Sequence, residues 1–402
     1  MFTRRQFLKA GSLVSLSPLV PTVWARTARA AVAAPDSKVL VVVQLDGGND
    51  GLNTVIPFTD DAYHRARNKL RLDPVKLHKL DDRLALNESM RAAKEVFDDG
   101  RLAIVQGVGY PNPDRSHFRS MRIWQTASFD DAAHNQYGWM GRALDGSRIE
   151  GGNEASAIYV GQEEVPVAMW GRRSVATAIS RADDLKLLLP AARASAVNVP
   201  SAVPADSLQQ FVTQQMLGAY TAAERFESRA ATASPVSYPD SQLAPRLKLI
   251  AQLLRSGSSA RVYYTQQSGY DTHAAQLYTH ASLLRELAGA LKAFAEDLRE
   301  AGLDQRVVVL AFSEFGRRVA ENASAGTDHG VAGPVFLAGT PVRGGLHGAP
   351  PNLTDLDAGD IKMTTDFRQV YATLLDEWLQ IPSIGILGEE FTSLPLLRTV
   401  GG

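Results

Sequence analysis

The sequence predicts an α/β protein built on a doubly wound, mostly parallel sheet flanked by helices on both faces. Three observations carry this. Apolar runs rich in β-branched residues recur, as Val39–Leu45, Val262–Tyr264 and Val307–Phe312, and continuous apolarity marks strands covered on both sides. Segments with apolar residues at helical spacing lie between these runs. Strand and helix patterns alternate along the chain, as in a sheet with helices packed on it.

Strands are predicted at 38–46, 102–107, 156–161, 262–267, 306–312 and 334–338. Helices are predicted at Glu88–Asp99, Ser116–Ala127, Leu208–Ala230, Gln242–Arg255, Ala274–Ala301 and Phe367–Leu379. The fifth of these carries Leu283, Leu284, Leu287, Leu291, Phe294 and Leu298 on one face. Pro235 and Pro239 separate the long amphipathic third helix from the fourth. The Ala-, Ser- and Pro-rich stretch 171–205, with its isolated Leu187-Leu188-Leu189, reads either as a cap over the sheet edge or as an ordinary long connection.

The N-terminus reads as an address. Thr3-Arg4-Arg5-Gln6-Phe7-Leu8-Lys9 is a twin-arginine export signal, followed by a short apolar stretch broken by Pro18 and Pro21. Ala28-Arg29-Ala30 and Ala31-Val32-Ala33 both offer small-residue cleavage sites. The expected organisation is a removable signal over 1–34 and one domain over 35–402, with a candidate cap or insertion at about 171–240. The predicted location is the periplasm or the extracellular space. The Tat translocon is the expected partner during export, and no transmembrane segment is expected after processing.

The chain of 402 residues has a formal charge of −1 and no cysteine. Removing the five positive charges of the signal (Arg4, Arg5, Lys9, Arg26 and Arg29) leaves about −6, which argues against nucleic-acid binding. Without cysteine there is no thiolate nucleophile, iron–sulfur cluster, disulfide or cysteine zinc site. Any metal must rest on carboxylates, imidazoles, amides or hydroxyls.

Such groups cluster at the strand ends. The first strand ends at Asp46 and opens into Gly47-Gly48-Asn49-Asp50-Gly51. The fourth leads to Gly269-Tyr270-Asp271-Thr272-His273, the fifth to Ser313-Glu314-Phe315-Gly316, and Gly326-Thr327-Asp328-His329-Gly330 follows. Ligands bind beyond the carboxyl ends of strands in open α/β sheets, so these acids and histidines point to a divalent-metal site. Asp271 and His273, two apart in an extended segment, face the same way and could reach one ion. Glu314 ends a buried strand, where an acid must be metal-bound or paired, with Arg317 and Arg318 as the nearest partners in sequence. His329 reads as a ligand, and Asp328 either as a ligand or as the group that orients an imidazole. His280 reads as a surface or packing residue. His347 is a weaker candidate, and His64, His78 and His134 lie in polar contexts away from strand ends.

A further loop, Pro111-Asn112-Pro113-Asp114-Arg115-Ser116-His117, runs into the second helix. Ser116 is there either a helix cap or a nucleophile. Arg115 could pair with an anionic group, Asn49 could donate to it, and His117 is a further imidazole beside the nucleophile candidate.

On LDGGNDGLN (45–53), RSHF (115–118), GYDTH (269–273), SEFGR (313–317) and GTDHG (326–330), with the closing Asp366–Trp378 segment, the chain resembles the alkaline phosphatase/sulfatase superfamily. More closely, it resembles a bacterial family of twin-arginine-exported proteins within it. The resemblance implies an alkaline-phosphatase-like central sheet and one or two divalent ions, whether zinc, manganese, magnesium or calcium. It implies a small-molecule phosphate or sulfate ester as substrate. It also implies Ser116 as nucleophile, Asp46 on the ion nearest it, Asp271 and His273 on a second ion, and His329 as the late histidine ligand. Two departures stand out. Phe315 occupies the place of an expected histidine, with His117 the residue able to compensate, and Asp-x-His is tighter than the usual spacing. An inactive envelope binding or assembly protein, and a metal-dependent phosphomutase, are the alternatives on the same fold.

Overall fold

Val39–Asp46 (β1) runs through the middle of the molecule. The computed structural model describes residues 37–130, 137–146, 157–174, 176–181 and 234–398. The export signal, most of the 171–205 stretch, His134 and the helix expected at 208–230 lie outside them. The strands joining β1 in the main sheet are Leu102–Gly109 (β2), Ala157–Val160 (β3), Ala176–Ile179 (β4), Val262–Ser268 (β5), Val307–Phe312 (β6), Gly333–Ala338 (β7), Gly345–His347 (β8) and Thr365–Asp366 (β9). The order is β8-β2-β7-β6-β1-β5-β3-β4, with β9 beside β2. All pairings are parallel except those of β7 with β2 and β6. Strand β4 and the short β8 and β9 were not among the strands expected from the sequence.

The helices are Arg91–Asp98 (α1), His117–Thr126 (α2), Trp139–Gly146 (α3), Leu243–Arg255 (α4), Gln276–Glu300 (α5) and Phe367–Ala372 (α6). Alternation along β1 explains its apolar run from Val39 to Val43. Val39, Val41, Val43 and Leu45 pack with Val96 of α1, Leu247 and Ile250 of α4, and Leu284, Leu287 and Phe294 of α5. Leu40 and Val42 pack on the other face with Trp124 of α2, Trp139 of α3 and Phe367 and Tyr371 of α6. Each fully buried side chain of this size contributes roughly 1.5–3 kcal/mol. Val41→Ala would therefore loosen both the sheet and the α4–α5 layer. The chain is thus a mixed α/β fold, its large and mostly parallel sheet flanked by helices.

This topology decides which loops can meet. β6, β1 and β5 are adjacent and parallel, so the loops after Asp46, Ser268 and Phe312 emerge side by side. β2 is parallel to them and sends its exit loop, 110–116, to the same edge. β7 runs the other way, so the loop that enters it, carrying residues 326–330, also lies at this edge. Among the described residues no helix is long and apolar enough to cross a membrane.

Candidate metal centre

Close packing of loops explains the glycines here. At Gly47, with φ +119°, an added Cβ would stand 2.4 Å from the Asp271 nitrogen. At Gly326 it would stand 2.2 Å from the His273 carbonyl carbon. Glycine alone lets these backbones touch. The 272–276 and 322–327 segments are sewn together by Ala275 N to Ser324 O, Gln276 N to Ala325 O and Thr327 N to Thr272 O. Arg318 N donates to Asp328 O and Gly330 N to Gly316 O, which joins the 316–318 segment to the 328–330 turn.

Arg317 closes the assembly. Fully buried, it donates from Nε to Gly48 O (2.7 Å), from Nη1 to Thr327 O (2.7 Å), and from Nη2 to Gly47 O, Tyr270 O (3.1 Å) and Asp271 Oδ1 (2.7 Å). Arg317 is close to Glu314 in sequence, yet its ion pair is with Asp271. Nothing in the linear sequence indicates that partner, because the two lie 46 positions apart.

Three imidazoles face the Asp271 carboxylate. His273 Nε2 is 3.0 Å, His329 Nε2 3.1 Å and His117 Nε2 3.5 Å from Asp271 Oδ1. Ligand atoms of His117, Asp271 and His329 all lie within 4.8 Å of one another. His273 Nε2 and His329 Nε2 are 2.9 Å apart. The far side of each ring is held. His117 Nδ1 meets Glu314 Oε1 at 2.7 Å, His329 Nδ1 meets Arg115 O at 2.8 Å, and His273 Nδ1 lies 3.4 Å from Asp328 Oδ1. Metal-binding histidines are characteristically fixed in this way by a carboxylate or carbonyl. His117 Nε2 is buried and has no hydrogen-bond partner. A nitrogen in that state, aimed at a carboxylate and a second imidazole, fits a divalent cation.

The electrostatics follow the contacts. Burial alone would raise the Asp271 carboxyl, but hydrogen bonds from Arg317 and His329 and the nearby positive charge hold it at about 2. The Glu314 hydrogen bond raises His117 above its ordinary value against the effect of burial. Burial, and then the charge of Glu314, raise Asp46.

The remaining candidates divide. Glu314 has no solvent exposure and meets Gly47 N (3.0 Å), Gly48 N (3.2 Å), the Ser313 hydroxyl (2.9 Å) and His117. Asp46 is half-buried beside Glu314, and Gln44 Nε2 donates to it at 3.4 Å. Phe315 is buried against His117 and His329, at ring-centroid distances of 4.9 and 4.7 Å. Ser116 is exposed just before His117, and its side chain makes no capping bond to α2. Asp114 supplies that turn instead, accepting from Ser116 N at 2.7 Å. The Arg115 guanidinium pairs with the buried Asp360. Asn49 turns inward, where its Oδ1 meets the Thr54 hydroxyl (3.0 Å) and His280 Nε2 (2.9 Å). His347 bonds Arg343 O, His64 bonds Phe58 O and His78 bonds Glu88 O, all within their own neighbourhoods.

Solved structures with a similar outline share little sequence. The C-terminal periplasmic domain of EptC from Escherichia coli, in complex with Zn, is 10% identical, with 77% of this chain and 74% of that one covered and a TM-score of 0.36. The PsFucS1 sulfatase from Pseudoalteromonas sp. is 10% identical over 92% and 72%, with a TM-score of 0.38. A protein in the alkaline phosphatase superfamily from Vibrio parahaemolyticus is 8% identical over 89% and 69%, with a TM-score of 0.40. No curated protein matches the sequence. A family model does, across residues 37–383 and therefore across every strand and loop that builds the centre: the chain belongs to the family described as "Protein of unknown function (DUF1501)".

Proposed function

We propose that this protein is an exported, metal-dependent hydrolase of phosphate or sulfate esters. The observation that carries the reading is the buried, unpartnered His117 Nε2 facing Asp271 and His329. His117, Asp271, His273 and His329 would hold the ion, and a donor set rich in imidazole favours zinc or another transition ion over magnesium or calcium. A divalent ion bound there supplies Lewis-acid stabilisation of charge on an ester oxygen and of a deprotonated hydroxyl.

The chain's own groups supply the rest. Ser116 is the proposed nucleophile, its exposed side chain free of a capping bond. The first amides of the ten-residue α2 favour an anion beside it. Arg317 and Glu314 hold the loops at fixed spacing, and Phe315 walls one side from water. Asp46, half-buried with Glu314 and His117 as its charged neighbours, would be a further carboxylate at the edge of the centre. The twin-arginine signal would carry the chain out already folded around its ion. A binding protein without turnover is the second reading, favoured by Phe315 in the cluster wall and by the pairing of Arg115 with Asp360.

The test is metal content, then turnover of nitrophenyl phosphate and nitrophenyl sulfate, for the exported wild type and Ser116→Ala. Bound metal with hydrolysis that disappears in Ser116→Ala supports the proposal. Bound metal with no turnover selects the binding protein, and absence of metal overturns both readings of the centre. Retention in the cytoplasm on Arg4→Lys with Arg5→Lys tests the export route.

A further inference from the structure

We infer that Glu314 is a positioning residue for His117 rather than a metal ligand. The inference rests on the metal-site reading above and assigns a division of labour within it. Glu314 lies wholly out of solvent at the end of β6. Its Oε1 accepts from Gly47 N at 3.0 Å and meets His117 Nδ1 at 2.7 Å. Its Oε2 accepts from Gly48 N at 3.2 Å and lies 2.9 Å from the Ser313 hydroxyl. Both oxygens are therefore engaged by protein donors, and turning either toward an ion would strip buried amides of their acceptor. An unsatisfied buried donor costs about 1–3 kcal/mol.

A carboxylate only accepts, so the 2.7 Å contact places a proton on His117 Nδ1. In the neutral ring Nε2 then carries the lone pair, and that atom is the buried one without a partner. His329 repeats the arrangement with a different acceptor, since its Nδ1 faces the Arg115 carbonyl at 2.8 Å. Both imidazoles thus hold a proton on the far Nδ1 and turn Nε2 toward the Asp271 side, where an ion would be held. The Phe315 ring packs against both, tilted at 38° to His117 and 35° to His329. Glu314 therefore couples the Gly47-Gly48 turn to the ligand geometry, and Phe315 leaves His117 as the imidazole on that side.

A double-mutant cycle on zinc affinity decides the point, read by competition with a chromogenic chelator on the full mature chain. Glu314→Gln should weaken zinc about 10–100-fold, His117→Ala should weaken it more, and the double variant should bind no worse than His117→Ala. Losses that multiply in the double variant would make Glu314 an independent ligand and overturn the inference. A second measurement needs no variant and no metal: nitrogen NMR of His117 in the metal-free wild type above pH 8. A proton on Nδ1 supports the inference. A proton on Nε2 overturns Glu314's role even where zinc binds, whereas a wild type that takes up no zinc overturns the metal reading and the inference together.

Discussion

Two buried arginines, Arg317 and Arg67, each hold an aspartate at the same end of the sheet, yet they serve different ends. Arg67 and Asp50 are both fully buried, with Nη2 2.9 Å from Asp50 Oδ1. Asn53, Val319 O and Arg318 O take the remaining Arg67 donors, while Gln276 and Leu52 N complete Asp50. The pair is closed. Arg317 is as deeply buried, but Asp271 keeps 48% of its side-chain surface exposed and collects three histidines. Each pair links the turn after β1 to distant loops, but only one ends in an open carboxylate beside an unpartnered nitrogen. The closed pair is architectural, and the open pair is the one to which the proposed metal chemistry is assigned.

The histidines repeat the contrast. His280 is buried behind Asn49, and burial lowers it to about 4. His117 is only part-buried, and Glu314 raises it. They titrate in opposite senses: one stays neutral in the fold, the other gains from its proton.

Breaking the closed pair should have the largest effect. Arg67→Met strands the Asp50 carboxylate in the core and should cost about 3–5 kcal/mol, read by urea denaturation; a loss below 1 kcal/mol would mean that the pair is dispensable. The open pair should respond in binding instead. Asp271→Ala should abolish measurable zinc uptake, and its cost to metal-free stability should be smaller than that of Arg67→Met, because Asp271 is half exposed and the buried Arg317 keeps its four carbonyl acceptors. A large stability loss with metal binding intact would reverse the assignment.

The pH dependence separates the histidines. The unfolded chain protonates His280 below about 6.5 and the fold resists until about 4. Its contribution, roughly 3 kcal/mol, is present above pH 6.5 and lost as pH falls through that window. His117 runs the other way: its contribution is present below 6.5 and lost as pH rises through its raised value. Denaturation at pH 7 and pH 4.5 should therefore show a loss that shrinks in His280→Gln. An unchanged loss would place the acid sensitivity elsewhere, since the lowered carboxylates Asp50 and Asp271 act only below their ordinary 3.8. The smallest effect should be Ser116→Ala on stability, within about 0.5 kcal/mol, because no capping bond is lost. A larger cost would make Ser116 a structural cap after all.

The main strands and helices were legible because burial on two faces writes itself into local pattern: β6 is apolar throughout, β1 is apolar from Val39 to Val43, β5 opens on Val262-Tyr263-Tyr264, and α5 shows its stripe. The β4 edge strand, Ala176–Ile179, was not, because four residues with an exposed Ala178 leave no such pattern. The acids and histidines at the strand ends could be named from sequence for the same topological reason that ligands gather there. Their roles could not. Asn49 and Asp50 sit in the same motif as Asp46, yet they face inward to Thr54, His280 and Arg67.

By itself, then, the sequence determined the main strands, their flanking helices and the set of polar residues at one edge, since periodicity and residue type are local properties. Only the tertiary structure decided that Arg317 serves Asp271, that Glu314 backs His117, and that reversal of β7 delivers His329 to the same point. Those are pairings between residues tens to hundreds of positions apart, and hydrogen-bond geometry at that separation has no signature until the chain is folded.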